Sequence, residues 1–149
     1  MTTPSYDTDF YAWTQAQAEA LRTKDVAALD LENLAEEIES LGKRDRRTVH
    51  GHLKVLLLHL LKWAAQPACR GLSWRRSIHN ARDTLRLVLD DSVTLQRQLP
   101  AIVAEAYPRA RRQAHEQTGL PLATFPEACL WSIEQVLDED FWQEARSMS

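Results

Sequence analysis

Glycine and cysteine are scarce in this chain, and β-branched residues are thin. Four glycines and six prolines in 149 residues leave few positions that must be tight turns. Val, Ile and Thr are outnumbered by Leu, Ala, Glu and Arg, a balance that favours helix over strand. The two cysteines, Cys69 and Cys129, form no CxxC and have no histidine at metal-ligand spacing. Two such thiols fit a reducing compartment better than a disulfide scaffold. Basic charge is also short, with a formal net charge of −3 and a pI near 5.9, which argues against a general nucleic-acid binder. The most apolar window, VLLLHLL at 55–61, is too short to span a bilayer, and the opening MTTPSYDTDF lacks the features of a signal peptide. No G-x-S-x-G, P-loop or dinucleotide fingerprint occurs. The expectation is a soluble cytoplasmic protein with no membrane association and no cofactor.

What the chain does have is helical periodicity, and the reading is all-α. It is taken as a single bundle-like domain over 1–149, with a loose tail at 1–6 and about five or six helices. Asp7 or Asp9 can cap a first helix running to about Arg22, with Phe10, Trp13, Ala16, Ala20 and Leu21 turned inward. From Asp30 onward, Leu31, Leu34, Ala35, Ile38 and Leu41 fall on one helix face. At about 100° per residue, Val49, Leu53, Leu56, Leu60 and Trp63 keep that phase across Gly42. One long central helix over about 31–66 is therefore expected, with a bend at Gly42 left open. Gly42 lies on the stripe, where it would let another helix approach closely, and Asp45 projects inward as an acid in need of an arginine.

Residues 66–73, QPACRGLS, read as a loop. Ser73 can cap a third helix from Trp74 to about Asp90, whose apolar stripe is Trp74, Ile78, Ala81, Leu85, Val88 and Leu89. Ser92 caps the next segment, which Pro100 and Pro108 are expected to divide into pieces before a stop at Gly119. LPLATFPEA is irregular or one short turn. Ser132 and Gln135 fit a capping box opening a last helix that ends near Asp140.

The strings YDTDFYAWT (6–14), DLENLAEEIESLG (30–42), LLLHLLKW (56–63), SWR (73–75), TGLP (118–121) and LDEDF (137–141) occur in this order over nearly the whole chain. Together they resemble the bacterial family catalogued as domain of unknown function 29. The resemblance implies a compact all-α fold. It brings no activity and no catalytic or binding residue, and Cys69 and Cys129 stand outside the family's pattern.

Several clusters are candidates for chemistry or contact. Glu32, Glu36 and Glu39 share one flank of the central helix, and Glu37 and Asp30 share the other. Such carboxylates can hold a divalent cation or act as acid and base, but a solvated helix face explains them more simply. Arg75, His79, Arg82 and Arg86 make a basic stripe on the third helix. That stripe can pair with those glutamates, or it can bind phosphates with help from Arg109, Arg111 and Arg112. His79 and Asp83 are the one His–carboxylate pair at i, i+4, without the second histidine of a zinc helix. His59, inside an apolar run, suits the edge of a core, and Cys69 beside Arg70 could carry a lowered thiol pKa. Trp142 is a candidate partner contact, the other tryptophans core anchors.

Three functional classes follow. The absence of a catalytic signature leans against an enzyme and favours a helical protein-interaction or regulatory module, its partner another protein. The alternatives are a small metal-assisted hydrolase or nuclease, joining carboxylates of the second helix to a histidine, and nucleic-acid binding through the arginine stripe.

Overall fold

The computed structural model describes residues 4–142. Among these it is all-helical, with five α-helices, three single 3-10 turns and no strand. The helices are α1 (Phe10–Arg22), α2 (Leu31–Ala65), α3 (Leu72–Asp90), α4 (Val93–Thr118) and α5 (Ile133–Leu137). No helix among the described residues is long and apolar enough to cross a membrane. The chain divides into two compact units, Met1–Arg44 and Asp45–Ser149, and α2 runs through the division.

In the first unit, Asp9 caps α1 by accepting from the Ala12 amide at 3.1 Å. The helix ends in a Schellman motif. The Asp25 amide donates to Ala20 O and the Lys24 amide to Leu21 O. Lys24 takes the left-handed position at φ 58°, where glycine is the usual occupant. The 3-10 turn Val26–Ala28 then leads to Asp30, which caps α2 by accepting from the Asn33 amide. Two side chains of α1 fasten this entry. Gln17 is buried, donating to Ala28 O at 3.1 Å and accepting from the Asp30 amide at 2.7 Å. The Trp13 indole N–H reaches the Asp30 carboxylate at 3.1 Å. The inward set expected for α1 is therefore only partly right. Trp13 and Ala20 are buried, Phe10 and Leu21 are exposed, and polar Gln17 takes an interior place. Of the tail expected at 1–6, residues 1–3 lie outside the described residues, and Tyr6 is packed edge-on against Phe10 and Trp13.

α2 is unbroken through Gly42, as its phase predicts. No atom stands within 4 Å of where a Gly42 Cβ would be, so the glycine makes no close approach. Asp45 is exposed, not buried, and needs no arginine to offset its charge.

The second unit holds the main core. Val49, Leu53, Leu56, Leu60 and Trp63 of α2 are sealed against Ile78, Ala81 and Leu85 of α3 and against Leu99, Ile102, Ala106, Ala110 and Ala114 of α4. Phe125 and Val136 close the ends. Each buried leucine contributes roughly 1.5–3 kcal/mol of apolar burial. α3 begins two residues before the expected start, with Gly71 at its N-cap position and Ser73 inside the first turn, so Ser73 is not the cap. α4 corrects a larger expectation. Pro100 and Pro108 do not divide it, because both sit on its exposed face. The carbonyls that lose a donor, those of Gln96 and Ala104, lie one turn back and can turn to water. Ser92 caps α4, Gly119 ends it at φ 71°, and Ser132 with Gln135 forms the complete capping box of α5.

The two left-handed positions give a paired test. Lys24→Gly is expected to raise stability by about 1 kcal/mol and Gly119→Ala to lower it by a similar amount, read from urea unfolding midpoints.

Candidate functional site

In the first unit the question is what the acidic stretch and its apolar stripe do. Leu31, Ile38 and Leu41 are more than half exposed, at 65%, 66% and 56%. With Phe10 and Leu21 of α1 they form an uncovered apolar face. A groove of about 360 Å³ runs between the helices, lined by Phe10, Trp13, Leu21, Leu34, Ile38 and Leu41 and bordered by the charged side chains of Glu37 and Arg44. One end is walled by aromatic packing, with Phe10 stacked on Trp13 at 5.7 Å and Tyr6 edge-on to both. Along α2, Glu32, Glu36 and Glu39 are exposed and run down the flank next to Leu31, Ala35 and Ile38.

Two acids of this stretch are structural. Asp30 gathers the Asn33 side chain, the Asn33 amide and the Trp13 indole, and these bonds hold its carboxyl below its ordinary pKa. Glu37 accepts from the Tyr6 hydroxyl. That bond is the main cause that pushes the Tyr6 phenol up to about 12, because losing its proton would set a phenolate against a carboxylate.

In the second unit the basic stripe is turned to the protein's own C-terminal segment. Arg82 is 2% exposed. Its Nε donates to Val136 O at 2.9 Å and its Nη2 to Phe141 O at 2.8 Å. Its Nη1 has no acceptor among the described residues, and the guanidinium carbon sits 5.5 Å from the Trp142 ring. Burial lowers its pKa, while the charges of Asp138 and Glu139 oppose the shift. Arg86 pairs with Glu139 at 2.7 Å. Arg75 lies over both Trp63 and Trp142, whose rings are 4.9 Å apart, and Arg70 covers Trp63 while donating to its carbonyl. Each such cation–ring contact contributes about 0.5–2 kcal/mol. The arrangement is a clamp, with arginines of α3 holding the chain after α5 over the end of the core.

The other candidates separate. His79 and Asp83 form an exposed pair at 3.3 Å. The His59 ring nitrogen lies 2.9 Å from Val55 O on its own helix, and burial lowers its pKa. Cys69 is an exposed free thiol, and the neighbouring Arg70 is spent on Trp63. Arg111 is also structural, donating to Phe125 O and Leu122 O. Trp142, expected as a partner contact, is half-buried against Trp63. Among the described residues no three His, Cys, Asp or Glu gather in a way that could hold a metal. A cavity of about 510 Å³ beside the clamp is lined by both signs of charge, Arg86 with Asp90 and Glu134, and by Leu89 and Ile133. Sequence reading missed Gln17 and the Tyr6–Glu37 bond, since no periodicity marks a polar pairing between separate elements.

A family model matches residues 5–142, and its description is "domain of unknown function DUF29". The chain belongs to that family. No curated protein and no solved structure matches it. For this DUF29 chain the interpretation of the site therefore rests on its own side chains.

Two measurements check the geometry. Arg82→Met leaves two carbonyls without their donor, so a loss of about 3 kcal/mol is expected, with faster hydrogen exchange at Val136 and Phe141. Arg82→Lys should recover little of it, because an ammonium cannot reproduce the forked hold. A folded chain showing unchanged exchange would contradict the clamp. For Tyr6, whose folded pKa is raised, the stabilisation is present below pH 10 and is lost as pH climbs towards 12. Glu37→Gln should bring one phenolate transition in the ultraviolet titration back towards 10.

Proposed function

We propose that the chain is a helical protein-interaction module working in the cytoplasm, and that its binding element is the groove between α1 and the first third of α2. One observation carries the reading. Seven of the twelve exposed large apolar side chains among the described residues fall in the first 44, and four of them, Phe10, Leu21, Ile38 and Leu41, line this groove. Uncovered apolar surface gathered in one place, with charge beside it, is characteristic of a docking site. The arginine stripe supports the same reading indirectly. Arg82 is buried and Arg86 is paired, so neither is placed to receive a phosphate. The two free thiols, Cys69 and Cys129, suit a reducing cytoplasm.

The test compares capture by the full chain with capture by the double variant Ile38→Asp, Leu41→Asp. Both positions are exposed, so helix content by circular dichroism should be unchanged. A specific protein retained near stoichiometrically by the wild type and lost with the variant is the expected result. Identical capture profiles would sink the reading.

A further inference from the structure

The second unit carries a charged seam that neither the clamp nor the core uses. Its part of α2 lies beside α4, tied by Arg46 to Glu105 and by Lys62 to Gln117, both at 2.9 Å. Between those ties α2 presents Arg46, His50 and Lys54 at i, i+4 and i+8, over about 12 Å. One face of α4 presents Glu105, Arg109 and Arg112 at i, i+4 and i+7. Arg109 and Arg112 are exposed, and the three side chains from α2 are half-buried. No large apolar side chain is exposed on α2 after Leu41 or on α4 after Val93.

Charge on the seam is one-sided. Burial lowers the His50 pKa, Arg109, Lys54 and Arg46 lower it further, and Glu105 alone opposes them. Those three cations therefore stand within electrostatic reach of one imidazole. Glu105 is committed to Arg46, accepting from both Nη atoms at 3.1 and 2.9 Å. Among the described residues Lys54, Arg109 and Arg112 make no ion pair. The next acid on that face of α4, Glu116, lies a turn beyond Arg112 and pairs with neither arginine. Gathered cations repel one another, and an incoming anion relieves that repulsion.

The surroundings select the anion. A single-stranded nucleic acid stacks its bases on aromatic rings, and no aromatic side chain of the second unit is exposed among the described residues. A duplex offers more phosphates than four cations can neutralise, and the net charge of −3 opposes its approach. A bilayer holds a protein through basic charge together with an inserted apolar group, which the seam does not expose. A second copy brings its own −3. A carboxylate is the anion already seated here, forked on Arg46 by Glu105. Further carboxylates about 6 Å apart, one helical turn, would repeat that fork at Arg109 and Arg112.

We propose that the seam between α2 and α4, at Arg46, Lys54, Arg109 and Arg112, binds an acidic peptide segment of another protein, its carboxylates engaging Arg109 and Arg112 as Glu105 engages Arg46. The seam lies within the second unit, and the proposal does not depend on the groove of the first. Two labelled peptides test it, one of alternating glutamate and alanine pairs and one with glutamine in place of every glutamate. Each is titrated with the full chain at low salt and followed by fluorescence anisotropy.

The glutamate peptide is expected to bind at least about tenfold more tightly than the glutamine peptide, and to weaken steeply as salt is added. The double variant Arg109→Glu, Arg112→Glu should weaken it by a similar factor. Both positions are exposed, so helix content should hold, and Arg109→Gln with Arg112→Gln serves if it does not. Equal affinity for the two peptides, or indifference to the arginine variants, overturns the proposal. A short DNA duplex or anionic vesicles that bind more tightly than the glutamate peptide, and lose that binding with the same variants, overturn it in favour of phosphate. A chain that doubles its mass in light scattering, and becomes monomeric with those variants, overturns it in favour of a second copy.

Discussion

A helix cannot change the direction of its side chains without breaking, and α2 does not break. Its apolar positions from Leu31 to Trp63 are bound to a single phase within the 35-residue helix Leu31–Ala65. From Val49 onward α3 and α4 cover that stripe completely. Before Gly42, Leu31, Ile38 and Leu41 of the same stripe are exposed. The continuous helix therefore carries one hydrophobic pattern into two different environments. The covered part makes the core, and the uncovered part leaves apolar side chains in solvent.

The two units are fastened by different chemistry. In the first, little apolar area is sealed, and polar side chains hold the elements in place. Gln17 and Trp13 hold the entry of α2, and Tyr6 reaches Glu37. In the second, apolar burial is extensive and a single buried cation closes it. Arg82 gives up water for two carbonyls and an aromatic face. That exchange is balanced only while those partners stay in place, because an uncompensated charge in an apolar setting is strongly unfavourable.

Local signals were legible in the sequence because their physics is local. Asp9, Ser92, Gly119 and the Ser132–Gln135 box act within one turn, and the phase of α2 carries through Gly42 without reference to anything else. The errors came where a distant partner decides. Pro100 and Pro108 break a helix only if the freed carbonyls cannot find water, and that depends on which face the rest of the fold buries. Gln17 is polar by type and interior by pairing. Arg82 belongs to a basic stripe until a carbonyl 54 residues later claims it. The candidate site was half legible. Periodicity placed Leu31, Ile38 and Leu41 on one face, but it states a direction and says nothing of what lies over it.

The clamp also orders events in time. Residues emerge from the ribosome in sequence, so Arg82 is available long before Val136 and Phe141 exist to receive it. Until they do, α3 can lay its apolar stripe against α2 only by burying a cation with no oxygen to meet it, or by leaving that edge wet. The last step in sealing the second unit therefore waits on the segment after α5, and a chain halted before it holds a core that is assembled but not shut.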